Sequence, residues 1–187
     1  TQAGRNSSAV LDDVFELATE LATEAGRQGF QLNGLGLGVC ELVNNAGEIV
    51  SANCFSWRSA DVREGLATIA PAVLEADVRA AALAEAMFGA GKSHKLFVYV
   101  TVGTGISSCL VVEGQPFVGA RGLTGTLASS PLPHLGPPWD SSAAATLEQI
   151  ASGPALVARF NQLHGQAQSA LEVLALAEAG NAEALSV

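Results

Sequence analysis

Two neighbouring stretches decide the fold. The first is Ala72-Val73-Leu74-Glu75-Ala76-Asp77-Val78-Arg79-Ala80-Ala81-Ala82-Leu83-Ala84-Glu85; the second is Leu96-Phe97-Val98-Tyr99-Val100-Thr101-Val102-Gly103-Thr104-Gly105. Residues 72–75 read as a brief buried strand that runs straight into a helix over 77–88, which Gly89 and Gly91 close. The β-branched and aromatic run Leu96–Val102 predicts a strand. It breaks at Gly103-Thr104-Gly105, and Ile106–Val112 returns as a second strand. Alternating strand and helix argues an α/β domain with mixed strand pairing.

Working upstream, Ser7 and Ser8 are expected to cap a helix with an apolar stripe through Val10, Leu11, Val14, Leu17, Ala18 and Leu21. That helix should stop near Gly26 to Gly29. Residues 32–43 predict a strand in which Gly34, Gly36 and Gly38 alternate with Leu35, Leu37 and Val39, leaving one face bare. Asn44-Asn45-Ala46-Gly47 predicts the turn of a hairpin completed by 48–52, and residues 61–69 a short helix ended by Pro71. Downstream, 115–128 is a glycine-rich loop, and 129–142 holds four of the seven prolines and reads as an irregular connection. Helices are expected over about 143–151, 154–163 and 167–179.

With 187 residues, 49% hydrophobic and 14% charged, the chain is long enough to bury a sizeable core and far from the disordered class. A net charge of -9 repels phosphate backbones, so no nucleic-acid binding is expected through this segment. No apolar run reaches the roughly 20 residues that span a bilayer, and no membrane partner is expected. Cys40, Cys54 and Cys109 are widely spaced, form no CxxC pair, and are expected to be buried small residues in a reducing compartment. The cytoplasm is the expected location.

Two spots look chemical. Asp77 stands where a strand hands over to a helix, the sheet edge at which open α/β folds place ligands, and could accept a proton from a substrate hydroxyl. Equally, Asp is a favoured helix N-cap and could only satisfy backbone N–H groups. Gly103-Thr104-Gly105 could cradle a phosphate with its amides and hydroxyl, or serve simply as a hairpin turn.

Order, spacing and flanks of both spots together resemble one family, the ROK proteins. The stretch 75–85, followed by Phe88-Gly89-Ala90-Gly91-Lys92, is similar to the ROK pattern ENDANAAALAE…GAGK, and 97–106 to FVYVTLGTGIG. Gly119-Ala120-Arg121-Gly122-Leu123-Thr124-Gly125 resembles the GANGLAGE loop, and Leu147-Glu148-Gln149-Ile150-Ala151-Ser152-Gly153 the LEAYASG helix start. Gly36-Leu37-Gly38-Val39 and Val50-Ser51-Ala52-Asn53 fit the segments before them. The resemblance implies two actin-like, ribonuclease H-like lobes with a mixed sheet and flanking helices. Residues 1–76 would be the remainder of the N-terminal lobe, and 77–187 the first part of the C-terminal one. It implies phosphorylation of a sugar or sugar-like alcohol by ATP with Mg2+. Asp77 matches the catalytic base, Glu148, Asn53 and Thr126 the sugar-binding positions, and Gly103, Thr104 and Gly105 the phosphate-binding turn. It also implies a possible homodimer.

The departures from the pattern bear on substrate and metal. The sugar-binding Asn of the ENDAN stretch is Ala76, and the GExGH loop reads Gly125-Thr126-Leu127-Ala128-Ser129. Trp139, Ser141 and Thr146 stand at the zinc-binding cysteine positions, with only His134 nearby, so no structural zinc of the family type is expected. A DxGGT phosphate loop is expected before Thr1 and a Gly-Gly nucleotide segment after Val187. The partner expected is a small sugar or a cyclitol; the alternative is a non-catalytic, sugar-sensing regulator or scaffold on the same fold.

Overall fold

A computed structural model describes residues 6–132, 145–167 and 169–187. Helix α1 (Ser7–Arg27) begins one residue earlier than its serines suggested: Asn6 is the cap, its Oδ1 accepting from Ser8 N at 3.1 Å. Strand β1 (Leu35–Val39) is shorter than the glycine alternation implied. Its partner explains this. β1 pairs in parallel only with β2 (Ala72–Ala76), from Leu35↔Ala72 to Val39↔Ala76, and β2 ends because α3 (Asp77–Met87) starts there. From Cys40 onward, among the described residues, β1 has no strand left to pair with.

The expected hairpin reduces to a single bridge, Val43↔Ile49, because hydroxyls take the amides a longer ladder would use. Leu42 N donates to Ser51 Oγ at 2.8 Å and Ile49 N to Ser59 Oγ at 2.7 Å. Helix α2 (Ser59–Ala67) contributes Val62 and Leu66, which join Ala18 of α1 and Leu74 of β2 in one buried cluster. Trp57 packs on that cluster, stacks on Phe55 with ring centroids 4.6 Å apart, and donates Nε1–H to Ser7 O at 2.7 Å.

β3 (Leu96–Val102) and β4 (Ile106–Val112) form the expected antiparallel pair, extended by the short β5 (Gln115–Pro116). Ala82 of α3 packs with Cys109 and Val111 of β4 in a second core, while the alternate face of β3, carrying Leu96, Val98, Val100 and Val102, is exposed. A short β6–β7 pair (Pro131–Leu132, Ala145–Thr146) leads into α4 (Leu147–Ala151), α5 (Gly153–Leu163), α6 (Ala170–Glu178) and α7 (Ala182–Leu185). The last three share a core of Phe160, Ala167, Val173 and Ala184. Among the described residues no helix is long and apolar enough to cross a membrane.

Candidate functional site

A cleft of about 730 Å³ opens where β2 passes into α3. Its walls include Asp77, Asn53, Thr126, Glu148 and the whole Gly103-Thr104-Gly105 turn, so the fold brings all seven sequence-selected residues to one cavity.

Asp77 is the first helical residue rather than the cap, which is Ala76. Its Oδ1 accepts from the next amide, Val78 N, at 2.7 Å, and no other hydrogen bond to the carboxylate occurs among the described residues. The side chain is exposed to the cleft. Gly38 lies opposite on β1, where a Cβ would stand 3.6 Å from Asp77 Cα. The bare strand face read from the glycine alternation is thus turned, at this end, toward the acid.

Glu148 reaches the same cleft from α4. Thr146 caps that helix with a capping box to Gln149, and its hydroxyl is thereby occupied. Glu148 Oε2 accepts from Ile106 N at 2.9 Å, which ties the helix to the far side of the glycine turn. Gly105 permits this approach: a Cβ there would lie 2.6 Å from Glu148 Oε2. Gly153 N donates to Gly103 O at 2.8 Å and Gly103 N to Gly105 O at 2.8 Å, fixing the turn from behind. The amides of Thr104 and Gly105 and the Thr104 hydroxyl have no partner among the described residues. Such a turn with free N–H groups suits an anionic phosphate oxygen.

Four further side chains build the rest, two of which, Glu41 and Arg79, the sequence did not single out. Glu41, 2% exposed, is a buried carboxylate behind the cleft wall. It accepts from Asn53 N at 2.8 Å, Cys54 N at 2.5 Å, Phe55 N at 2.9 Å and the Ser51 hydroxyl. Burial alone would raise its pKa, but the Ser51 hydroxyl and the three amides hold the carboxyl below the ordinary glutamate value. Asn53 is thereby fixed by its backbone, and its side chain is left at the cleft.

Arg79, 4% exposed, lies on α3 one turn after Glu75, and their four-residue spacing was the signal available. Its Nε donates to Glu75 Oε1 at 2.6 Å, and two further nitrogens donate to Gly122 O and Val43 O, each at 2.6 Å. Gly122 and Gly125 hold the loop beyond in positive φ, +74 and +89, where a Cβ would meet Asn44 and Asn45 backbone at 2.7 Å and Ser108 O at 2.1 Å.

The other two are Cys40 and Cys54, which are exposed, contrary to the burial expected for all three cysteines; Cys109 is buried. Burial of its sulfur, the neighbouring Cys54 thiol and the charges of Glu41 and Asp77 push the Cys40 thiol up to about 12. Of the positions expected to replace a structural zinc site, Thr146 serves as a helix cap, while His134, Trp139 and Ser141 lie outside the described residues.

The fold is that of the actin-like sugar kinases. A ROK glucokinase from Streptomyces griseus, solved with glucose and AMPPNP, superposes with a TM-score of 0.71 at 20% identity, over 97% of this chain and 63% of that one. A model of the ROK family matches residues 6–187, and the chain belongs to that family. The glucokinase of Halalkalibacterium halodurans is 30% identical over 174 residues, 83% of this chain and 53% of that protein. The xylose repressor of Bacillus subtilis is 25% identical over 155 residues, 81% of this chain and 40% of that protein. The chain thus spans about half the length of the relatives it matches.

Proposed function

We propose that this chain forms the acceptor side of a cytoplasmic sugar kinase, which transfers a phosphoryl group from ATP to a hydroxyl of a sugar or sugar-like alcohol. Residues 1–76 and 77–187 belong, in this reading, to the two lobes that flank the cleft. The observation that carries it is the meeting of an almost unpartnered Asp77 carboxylate and an amide-bearing Gly103-Thr104-Gly105 turn in one cleft. The Streptomyces griseus glucokinase, solved with glucose and an ATP analogue, supports the ligand classes.

Asp77 would accept the proton of the acceptor hydroxyl through the oxygen that Val78 N leaves free, raising that oxygen's nucleophilicity. Glu148, held on Ile106 N by one oxygen, would offer the other to an acceptor hydroxyl. Thr126 and Ser129 place hydroxyls on the cleft wall, and Asn53 an amide. With Ala76 contributing no polar group, this lining suits an acceptor with fewer or differently placed hydroxyls than a hexose, such as a cyclitol. ATP with Mg2+ would supply the phosphoryl group and neutralise its charge, and the Thr104 and Gly105 amides fit a phosphate oxygen.

Activity of the full-length protein on a panel of hexoses and cyclitols, with Asp77→Ala alongside, tests the reading. Loss of about 10²–10⁴-fold in kcat is expected from removing a general base; equal turnover would remove Asp77 from the mechanism. Similarity to the xylose repressor over 81% of the chain favours a second reading, a sugar-sensing regulator. That reading gains if calorimetry shows sugar binding with no ATP consumption by the wild type.

A further inference from the structure

Cys40 and Cys54 are fourteen positions apart in sequence, yet their Sγ atoms and a Glu41 carboxylate oxygen all lie within 4.8 Å of one another. We propose that these three residues bind one thiophilic divalent cation of the Zn2+ class in the cleft wall, beside but separate from the phosphoryl-transfer groups. Two thiolates and one carboxylate are a donor set that such a cation accepts, with a fourth position open to the cleft.

The scaffold explains how the pair is assembled. Cys40 follows the last paired residue of β1, Val39, and so stands alongside Asp77, the residue after Val39's partner Ala76. Cys54 is brought over by Glu41 itself, which accepts from the Cys54 amide at 2.5 Å and from the amides on either side of it. Both cysteines are exposed residues that line the cleft.

The local charge favours a cation: the Glu41 carboxylate lies within 4.8 Å of both sulfurs, and the Asp77 carboxylate lines the same cleft. Arg79, the cationic residue of the cleft wall, is occupied by Glu75 and two carbonyls. Thiols used for oxidation sensing sit beside cations that favour the thiolate, the opposite of this setting. A bound divalent ion would itself supply the missing positive charge, each thiol releasing one proton as its sulfur is ligated.

Glu41 carries four donors, but one of them, the Ser51 hydroxyl, is a rotor. If the Ser51 side chain moves to another rotamer, its oxygen leaves Glu41 Oε2, and the carboxylate regains a lone pair for the metal while keeping its three amide bonds. The same movement takes Ser51 Oγ away from Leu42 N, so ligation exchanges the serine bridge for the ion.

The test is metal binding by the full-length protein, kept reduced with a phosphine, and is independent of any kinase assay. Equilibrium dialysis with Zn2+ should give one ion per chain in the wild type, undiminished by excess Mg2+, which prefers oxygen donors. Loading with Co2+ should give thiolate-to-cobalt charge-transfer absorption in the near ultraviolet. Cys40→Ser and Cys54→Ser should each weaken binding by more than the 10–100-fold typical of an outer-shell loss. Cys109→Ser and His134→Ala should leave it unchanged. Circular dichroism confirms that each variant is folded. Absence of stoichiometric binding by the wild type, binding unchanged in Cys40→Ser/Cys54→Ser, or binding abolished by His134→Ala would each overturn the assignment.

Discussion

Replacing Glu41 by Gln should destabilise the protein more than any other single-atom change at the cleft. Glu41 Oε1 accepts from Cys54 N and Phe55 N, and Oε2 from Asn53 N and the Ser51 hydroxyl. Glutamine has one carbonyl oxygen and an NH2 group, so one of these pairs must face a donor. With NH2 toward Ser51, that hydroxyl can turn and accept, but Asn53 N is left without a partner. With NH2 toward Cys54 and Phe55, two amides are orphaned.

The milder arrangement costs about 1–3 kcal/mol for one orphaned donor, plus roughly 1 kcal/mol for each remaining bond that loses its charge. The sum is about 3–5 kcal/mol, measurable by urea unfolding. The pH dependence gives a second readout. Because the folded-state pKa of Glu41 lies below its unfolded value, near 4.3, the charged form contributes stability above that pH. The contribution is lost as pH falls through the lower folded pKa, and the glutamine variant should lack this acid limb. A variant within about 0.5 kcal/mol of wild type, with an unchanged acid limb, would refute the clamp.

The glycines separate structural from chemical roles. Gly125→Ala places a side chain at φ +89 and 2.1 Å from the Ser108 carbonyl, so a loss of more than about 2 kcal/mol is expected by thermal or urea unfolding. Gly105→Ala meets only the tip of Glu148, so stability should fall by less than about 1 kcal/mol. The displaced Glu148 should instead raise the KM for the acceptor in the kinase assay. Arg79→Lys replaces a three-way fork by a single nitrogen, leaving at least one of Glu75, Val43 O and Gly122 O unmatched. A loss of about 2–4 kcal/mol is expected in urea unfolding, and a lysine variant as stable as wild type would dissociate α3 from the loop's support.

The elements whose signal lies in local pattern were legible. β3 and β4 coincide with their apolar runs, and α3 with its alanine-rich stretch, because periodicity and β-propensity act over a few residues. The Asp77 junction was legible as a site by position, though not the fact that Ala76 rather than Asp77 caps the helix. Glu41 carried no sequence signal at all. Its partners lie 10 to 14 residues away in an irregular loop, and three of them are backbone amides that any residue provides. Cys40 and Cys54 were unreadable for the same reason: their spacing fits no local ligand motif, and only the Glu41 clamp joins them. The glycine requirements at 105 and 125 arise from contacts with Glu148 and Ser108; the sequence marked Gly105 as part of a turn and Gly125 as part of a glycine-rich loop, but neither contact.

The cleft's three carboxylates differ chiefly in how much hydrogen-bonding capacity their neighbours leave them, and this ranks them for chemistry. An ionised carboxylate can accept about four hydrogen bonds. Glu41 accepts four, all from its own chain, so it is a structural anchor and cannot take a substrate proton without releasing the loop. Glu148 accepts one, from a strand amide on the opposite side of the turn, which fixes its orientation while leaving capacity for an acceptor hydroxyl. Asp77 accepts one, from the amide next to it, a bond that helix α3 keeps whether or not a ligand is present. Proton transfer requires a free, ligand-facing lone pair on a group whose protonation does not dismantle the site. Of the three, only Asp77 can gain a proton without loosening a contact between distant segments, and a proton on Glu148 would weaken the bond that holds α4 to the glycine turn.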